Sequence, residues 1–134
     1  MRILFSRHGE SQANILHIIS NRDLPHRLTP AGVEQALALA EAVSGYNLMQ
    51  VFSSPILRAQ ETAGIIAARF GLPLTVSPAL REFDCGGMEG RGDEEAWAAH
   101  REVIAARGTG CWSASAGPGI IVRGQRGEIL PAKG

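Results

Sequence analysis

The chain has 134 residues, with 13 basic side chains against 13 acidic ones and therefore no formal net charge. Its 45% hydrophobic and 19% charged content is that of a single globular domain, long enough to bury a core without disulfides or a structural metal. The charge balance argues against a nucleic-acid-binding surface, and no apolar run approaches the roughly 20 residues of a membrane span. Arg7-His8 also breaks the first apolar stretch too early for a secretion signal. Cys85 and Cys111 lie far apart and form no CxxC pair, so free thiols in a reducing cytoplasm are expected.

In chain order, residues 2–6 (RILFS) read as a short buried strand ending in a polar turn. Residues 15–28 have no clean period and are expected to be mostly loop. Thr29-Pro30 is a cap-plus-proline helix start, followed by an alanine- and leucine-rich helix over 31–43 that Gly45 ends. Residues 50–53 (QVFS) read as a second strand. Ser54-Pro55 repeats the cap-plus-proline signal and opens a helix to Phe70, closed by Gly71, with Leu57, Ile65, Ile66 and Phe70 along one face. A third strand at 74–77 (LTVS) precedes a glycine-rich irregular stretch over 82–92, and Asp93 caps a further helix to about Arg107. Strand, helix, strand, helix, strand predicts an α/β fold in which a mostly parallel sheet is covered by helices.

The chemistry-bearing residues fall where these strands end. Ligand sites of open α/β sheets gather at the carboxyl ends of the strands. Arg7-His8-Gly9-Glu10-Ser11 sits there after the first strand, and a histidine so placed can act as nucleophile, base or metal ligand. Arg7 beside it favours an anion over a cation, and Gly9 permits close backbone approach. Arg58 follows the second strand in the first turn of the next helix, so two parallel strands deliver Arg7, His8 and Arg58 to one rim. Two guanidinium forks suit the equatorial oxygens of a phosphoryl group in its transition state, and the helix start after Ser54 adds amide donors. Asn14 can donate an amide hydrogen bond to the same anion. Glu82, after the third strand, can protonate a leaving alkoxide if its carboxyl pKa is raised.

Four segments in order, RHGESQAN (7–14), LTPAGVEQA (28–36), VFSSPILRAQETA (51–63) and LREFDCGGMEG (80–90), resemble the histidine phosphatase superfamily, the phosphoglycerate mutase-like proteins. The resemblance covers about residues 1–90. It implies a three-layer helix/sheet/helix domain with a mostly parallel sheet. It also implies that His8 is the nucleophile, taking phosphate as a phosphohistidine. Arg7 and Arg58 would bind the phosphate, Asn14 would assist and Glu82 would be the general acid. Neither a metal nor an organic cofactor is implied.

The resemblance lapses late in the chain. The family carries a second active-site histidine directly after another strand, in a Ser-His-Gly or similar context, and none of His17, His26 or His100 has that setting. The domain is therefore read as residues 1–107, truncated at the C-terminus. Residues 108–134 form an atypical tail that is irregular or out of frame, and reading the coding DNA in the other frames tests the latter. The missing part would bring a strand beside the first one, leaving an edge open to dimerisation. Ile120-Ile121-Val122 is a candidate to fill that edge; alternatively, 120–130 make a small hairpin around a Gly-Gln-Arg-Gly turn.

The reading is a phosphatase acting on a small-molecule phosphate ester, with no nucleic-acid or membrane partner. A homodimer is an open option. The first alternative, a phosphoglycerate mutase, shares the core motif but usually needs additional loops to shield its phosphohistidine from water. The second is a truncated relative that binds phosphate without efficient turnover. Cys85 and Trp97 are expected to be packing residues, and Arg91 a solvated loop charge.

Overall fold

The computed structural model describes residues 2–22 and 25–106, together with the backbone of 120–125. Strand β1 (Arg2–Ser6) leads through the 7–11 turn into a single helical turn, α1 (Gln12–Ile15). Helix α2 (Pro30–Ala42), strand β2 (Asn47–Ser53), helix α3 (Leu57–Phe70) and strand β3 (Leu74–Val76) follow. Two 3-10 turns, Pro78–Leu80 and Gly86–Met88, carry the chain to helix α4 (Glu94–Ala106), and strand β4 (Ile120–Gln125) completes the sheet.

The local signals act largely as the sequence predicts. Thr29 Oγ1 accepts the Gly32 amide at 3.1 Å, with proline at the first position of α2. Asp93 Oδ1 accepts the Ala96 amide at 3.0 Å and so starts α4. Gly71 closes α3 in the left-handed conformation (φ 63°) that glycine adopts without a Cβ penalty. One cap differs: α3 begins at Leu57 after Ile56, while Ser54 Oγ meets only the Ile56 amide, at 3.4 Å. Ser54-Pro55 thus turns the chain out of the sheet rather than capping the helix. The second strand is also longer than expected, reaching back to Asn47 through an irregularity between Leu48 and Gln50.

The sheet order is β1-β4-β2-β3. β1, β2 and β3 share one direction, as strand–helix–strand connections require, and β2 pairs with β3 in parallel. β4 lies antiparallel between β1 and β2, Leu4 and Val51 both standing opposite Val122. The run 120–122 therefore fills the edge of β1. Gly124 and Gln125, which would begin the turn of the alternative hairpin, belong to the strand: Gly124 is registered against Arg2 and Leu48, and Gln125 against Asn47, while the hairpin's remaining residues, 126–130, lie outside the described residues. The remaining residues of the tail, 108–119 and 126–134, lie outside the described residues.

One core forms where α2 and α3 pack together on the sheet: Ala40, Val43, Leu48, Val51, Ala63, Ile66 and Ala67, with Leu4, Phe70 and Leu74 against them. Small side chains dominate the α3 face because it lies close to both α2 and β2. Leu57 and Ile65 stay only partly buried, so the buried stripe runs through Ala59, Ala63, Ile66 and Ala67 instead. On the other sheet face, Ile3 is 41% and Phe5 53% exposed, and no described helix supplies the third layer. A second cluster joins Ile19, Cys85 and Ala96 with Phe83, Met88 and Trp97, fixing α4 beneath the loops that follow β1 and β3. Trp97 and Cys85 are thus packing residues. Cys85 is a buried free thiol, whereas Cys111 lies outside the described residues. Among the described residues no helix is long and apolar enough to cross a membrane.

Candidate active site

The 7–11 turn is held from two sides. On one side, Gly9 and Gly32 lie so close that a Cβ at Gly9 would stand 2.3 Å from the Gly32 carbonyl oxygen. Glu10 accepts the Thr29 hydroxyl at 2.7 Å, and its amide donates to Gln35 at 2.8 Å, so the start of α2 clamps the turn. On the other side, the Gly9 amide donates to Thr62 Oγ1 at 3.1 Å, while the Thr62 hydroxyl donates to the Arg58 carbonyl at 2.8 Å. Gly9 does permit a close approach, and what approaches is α2.

These clamps bring His8 to Arg58. The His8 Nδ1 lies 2.6 Å from the Gly9 carbonyl oxygen, which can only accept, so Nδ1 carries the proton and Nε2 the free lone pair. Arg58 Nε donates to that Nε2 at 2.9 Å. Arg58 itself is only 6% exposed, with Nη2 on the Ser20 carbonyl at 2.6 Å and Nη1 on Ser20 Oγ at 3.4 Å. Burial, with Arg58 and Arg7 adding repulsion, pushes the His8 imidazole down to about 4 despite the Gly9 bond, which opposes the fall. The histidine is therefore neutral over most of the pH range.

The remaining predicted residues surround this pair unequally. Burial raises the Glu82 carboxyl above the usual carboxylate range, against the pull of Arg58 and Arg7, and Glu89 adds to the rise. Arg7 is exposed but close enough that its charge acts on His8, Arg58 and Glu82. His8, Arg58, Arg7 and Glu82 thus form one electrostatic cluster. Asn14 is exposed and works locally: its Oδ1 accepts the Ser11 amide and hydroxyl, both at 2.9 Å, and none of its hydrogen bonds reaches His8 or Arg58. Among the described residues no three His, Cys, Asp or Glu side chains gather as a metal site.

With this geometry in hand, residues 3–123 match the Histidine phosphatase superfamily (branch 1). The chain belongs to that superfamily. It is 35% identical over 104 residues to the Yersinia pestis (strain Pestoides F) protein named Probable phosphoglycerate mutase GpmB, covering 72% of this chain and 47% of that protein. The mycobacterial glucosyl-3-phosphoglycerate phosphatase Rv2419c, solved with VO3, superposes with a TM-score of 0.69 at 29% identity, covering 84% of this chain and 57% of the other. The alpha-ribazole phosphatase of Shigella flexneri gives 0.63 at 30% identity, with 88% and 59% covered. The chain thus spans about half the length of the superfamily relatives it matches.

Several residues of this superfamily member that organise the site had no role in the sequence reading. Ser20, 3% exposed, holds Arg58, and it lies in a stretch without period that offered no signal. Thr62, one helical turn beyond Arg58, could have been found by that spacing. Glu89 ties two loops together, accepting the Asn21 amide at 2.8 Å and the Cys85 amide at 3.0 Å. It belongs to the last matching segment, and its backbone-binding role follows only from the folded loop. The other histidines lie apart from His8: His100 packs between Phe83 and Trp97, and the His17 carbonyl accepts the Trp97 indole at 2.7 Å. His26 meets Ser20.

Proposed function

We propose that this chain is a phosphomonoesterase that works through a phosphohistidine on His8. The observation that carries the reading is the His8–Arg58 contact, which leaves a neutral Nε2 lone pair beside a buried cation, with the opposite ring nitrogen fixed by the Gly9 carbonyl. In the proposed reaction Arg58 Nε leaves His8 for a phosphate oxygen, and Arg7 binds another. The Nε2 lone pair forms the N–P bond as the ester P–O bond breaks. The leaving oxygen takes the proton from Glu82, whose raised pKa supports that role. Water then attacks phosphorus, gives its proton to the Glu82 carboxylate and releases inorganic phosphate and His8. Asn14 would complete the anion's donors through its amide N–H groups.

The partner in this reading is a small phosphate ester, with no nucleic acid or membrane involved, and the buried free thiol of Cys85 favours a reducing compartment such as the cytoplasm. The names of the two solved phosphatases favour hydrolysis, whereas the name of the Yersinia relative favours a second reading, a phosphoglycerate mutase. A third reading, a phosphate binder without efficient turnover, draws on the four histidines of the chain, of which only His8 stands beside Arg58.

The deciding experiment is turnover of a generic aryl phosphate by this 134-residue chain, with His8→Ala as control. Turnover lost in the variant, with an acid-labile phosphoryl group trapped on the parent, is expected. Phosphate-induced stabilisation without turnover would leave only the binder, and transfer to an acceptor phosphoglycerate in preference to water would select the mutase.

A further inference from the structure

We propose that His26 is a positioning residue for Arg58, acting through the Ser20 hydroxyl to hold the guanidinium against His8; its consequence for catalysis rests on the phosphohistidine reading. Arg58 spends three of its donors on two residues. Arg58 sends Nε to His8 at 2.9 Å, Nη2 to the Ser20 carbonyl at 2.6 Å and Nη1 to Ser20 Oγ at 3.4 Å. Ser20 is 3% exposed, and a buried hydroxyl must place both its hydrogen and a lone pair. The guanidinium can only donate, so it takes a lone pair. The hydrogen goes to the other neighbour of Oγ, His26 Nδ1, at 3.0 Å.

This arrangement makes His26 the group that sets the Ser20 rotor. While Nδ1 accepts, the hydroxyl hydrogen points away from Arg58 and the oxygen faces Nη1. Without that acceptor the rotor turns, Nη1 loses its partner, and the guanidinium keeps only the Nε bond to His8 and the Nη2 bond to the Ser20 carbonyl. With the Nη1 side unheld, the fork tilts about those two bonds and presents Nη1 and Nη2 out of line to an incoming phosphate, whose recognition depends on guanidinium geometry. His26 touches neither His8 nor the site of attack, so its effect passes entirely through Ser20 and Arg58.

The test compares His26→Ala, His26→Asn and His26→Gln in the full chain. Asparagine can place its side-chain oxygen near the position of Nδ1, whereas glutamine reaches towards Nε2. Two readouts are followed: the Arg58 Nε–H resonance in 15N spectra, and binding of inorganic phosphate together with the kcat and KM of an aryl phosphate. His26→Ala is expected to broaden the Arg58 resonance and weaken phosphate binding about tenfold. His26→Asn should restore both to within about threefold, and His26→Gln should not. Ser20→Ala should match His26→Ala, with no further loss in the double variant. An unchanged Arg58 resonance in His26→Ala overturns the proposal, as does equal failure of the Asn and Gln variants at equal loss of Tm. If the parent neither binds phosphate nor turns over ester while the resonance still follows the Ala/Asn pattern, the phosphatase reading falls and the positioning role stands. If the alanine variant does not fold, the Asn-against-Gln comparison alone decides.

Discussion

At the scale of single residues, two perturbed side chains set the pH behaviour of the site. Burial keeps His8 neutral down to about 4, while it holds Glu82 protonated above the ordinary carboxylate range. In the proposed reaction, nucleophile and acid are together in their working forms between those limits. We expect kcat/KM to rise as His8 loses its proton near pH 4 and to fall at higher pH as Glu82 loses its own, both limbs measurable from initial rates. Glu82→Gln should remove the alkaline limb and lower the rate by about 10²–10⁴. The same imidazole links folding to pH. It binds a proton near 6.5 when unfolded but only near 4 in the fold, so the unfolded chain takes up more protons between those values. Stability should therefore decline as pH drops from 6.5 towards 4, and urea unfolding of His8→Asn should lack that part of the slope.

At the scale of elements, the site depends on how tightly loops are pressed on helix ends. Gly9 and Gly32 are backbone contacts rather than flexible joints: a Cβ at Gly32 would stand 2.0 Å from the Glu10 carbonyl oxygen. Gly9→Ala and Gly32→Ala should each cost about 1–3 kcal/mol in denaturant unfolding, with reduced turnover because the His8 turn shifts. Gly64→Ala is the internal control. Its Cβ would meet nothing within 4 Å in the interior of α3, so it should gain up to about 1 kcal/mol from helix propensity. Glu89 plays the corresponding part for the loops after β1 and β3. Its carboxylate accepts from Asn21, Arg22 and Cys85 backbone amides, and Asn21 Nδ2 reaches the Phe83 carbonyl at 3.1 Å. Glu89→Ala should lower stability by about 1–3 kcal/mol and increase hydrogen exchange over 19–22 and 83–91 together, since the seam is shared.

At the scale of the whole molecule, β4 joins the strand that carries His8 to the rest of the sheet. Among the described strands β1 pairs only with β4, and β4 pairs in turn with β2. A proline in the middle of a sheet removes a ladder hydrogen bond. Val122→Pro should therefore cost about 3 kcal/mol or more and detach β1 from the β2 side. Thermal unfolding followed both globally and at His8 would show whether the site melts ahead of the α2–α3 core. Equal melting of site and core at unchanged Tm would contradict the central place of β4.

Local patterning made the framework readable from residues 2 to 106. Apolar runs, proline and glycine punctuation and capping side chains are short-range signals, and they located β1, α2, β3 and α4 within a few residues. The same reading selected His8, Arg7, Arg58 and Glu82, because residues at strand ends converge when the strands run parallel. Three things were decided by tertiary structure. Ser54-Pro55 looks like a cap, but the geometry leaving β2 delays the helix to Leu57. Residues 120–130 read as a small hairpin or, over 120–122, as a candidate to fill the open edge of β1, and pairing with both β1 and β2 took 120–125 into the sheet as a strand. Ser20, Thr62 and Glu89 gained their roles from groups distant in sequence, 38 positions between Ser20 and Arg58 and 53 between Gly9 and Thr62. Sequence alone determined which residues can form helices and strands and which charged side chains stand at the strand ends. Only the fold determined which carbonyls and hydroxyls hold them, because those partners are set by long-range chain packing and leave no local pattern.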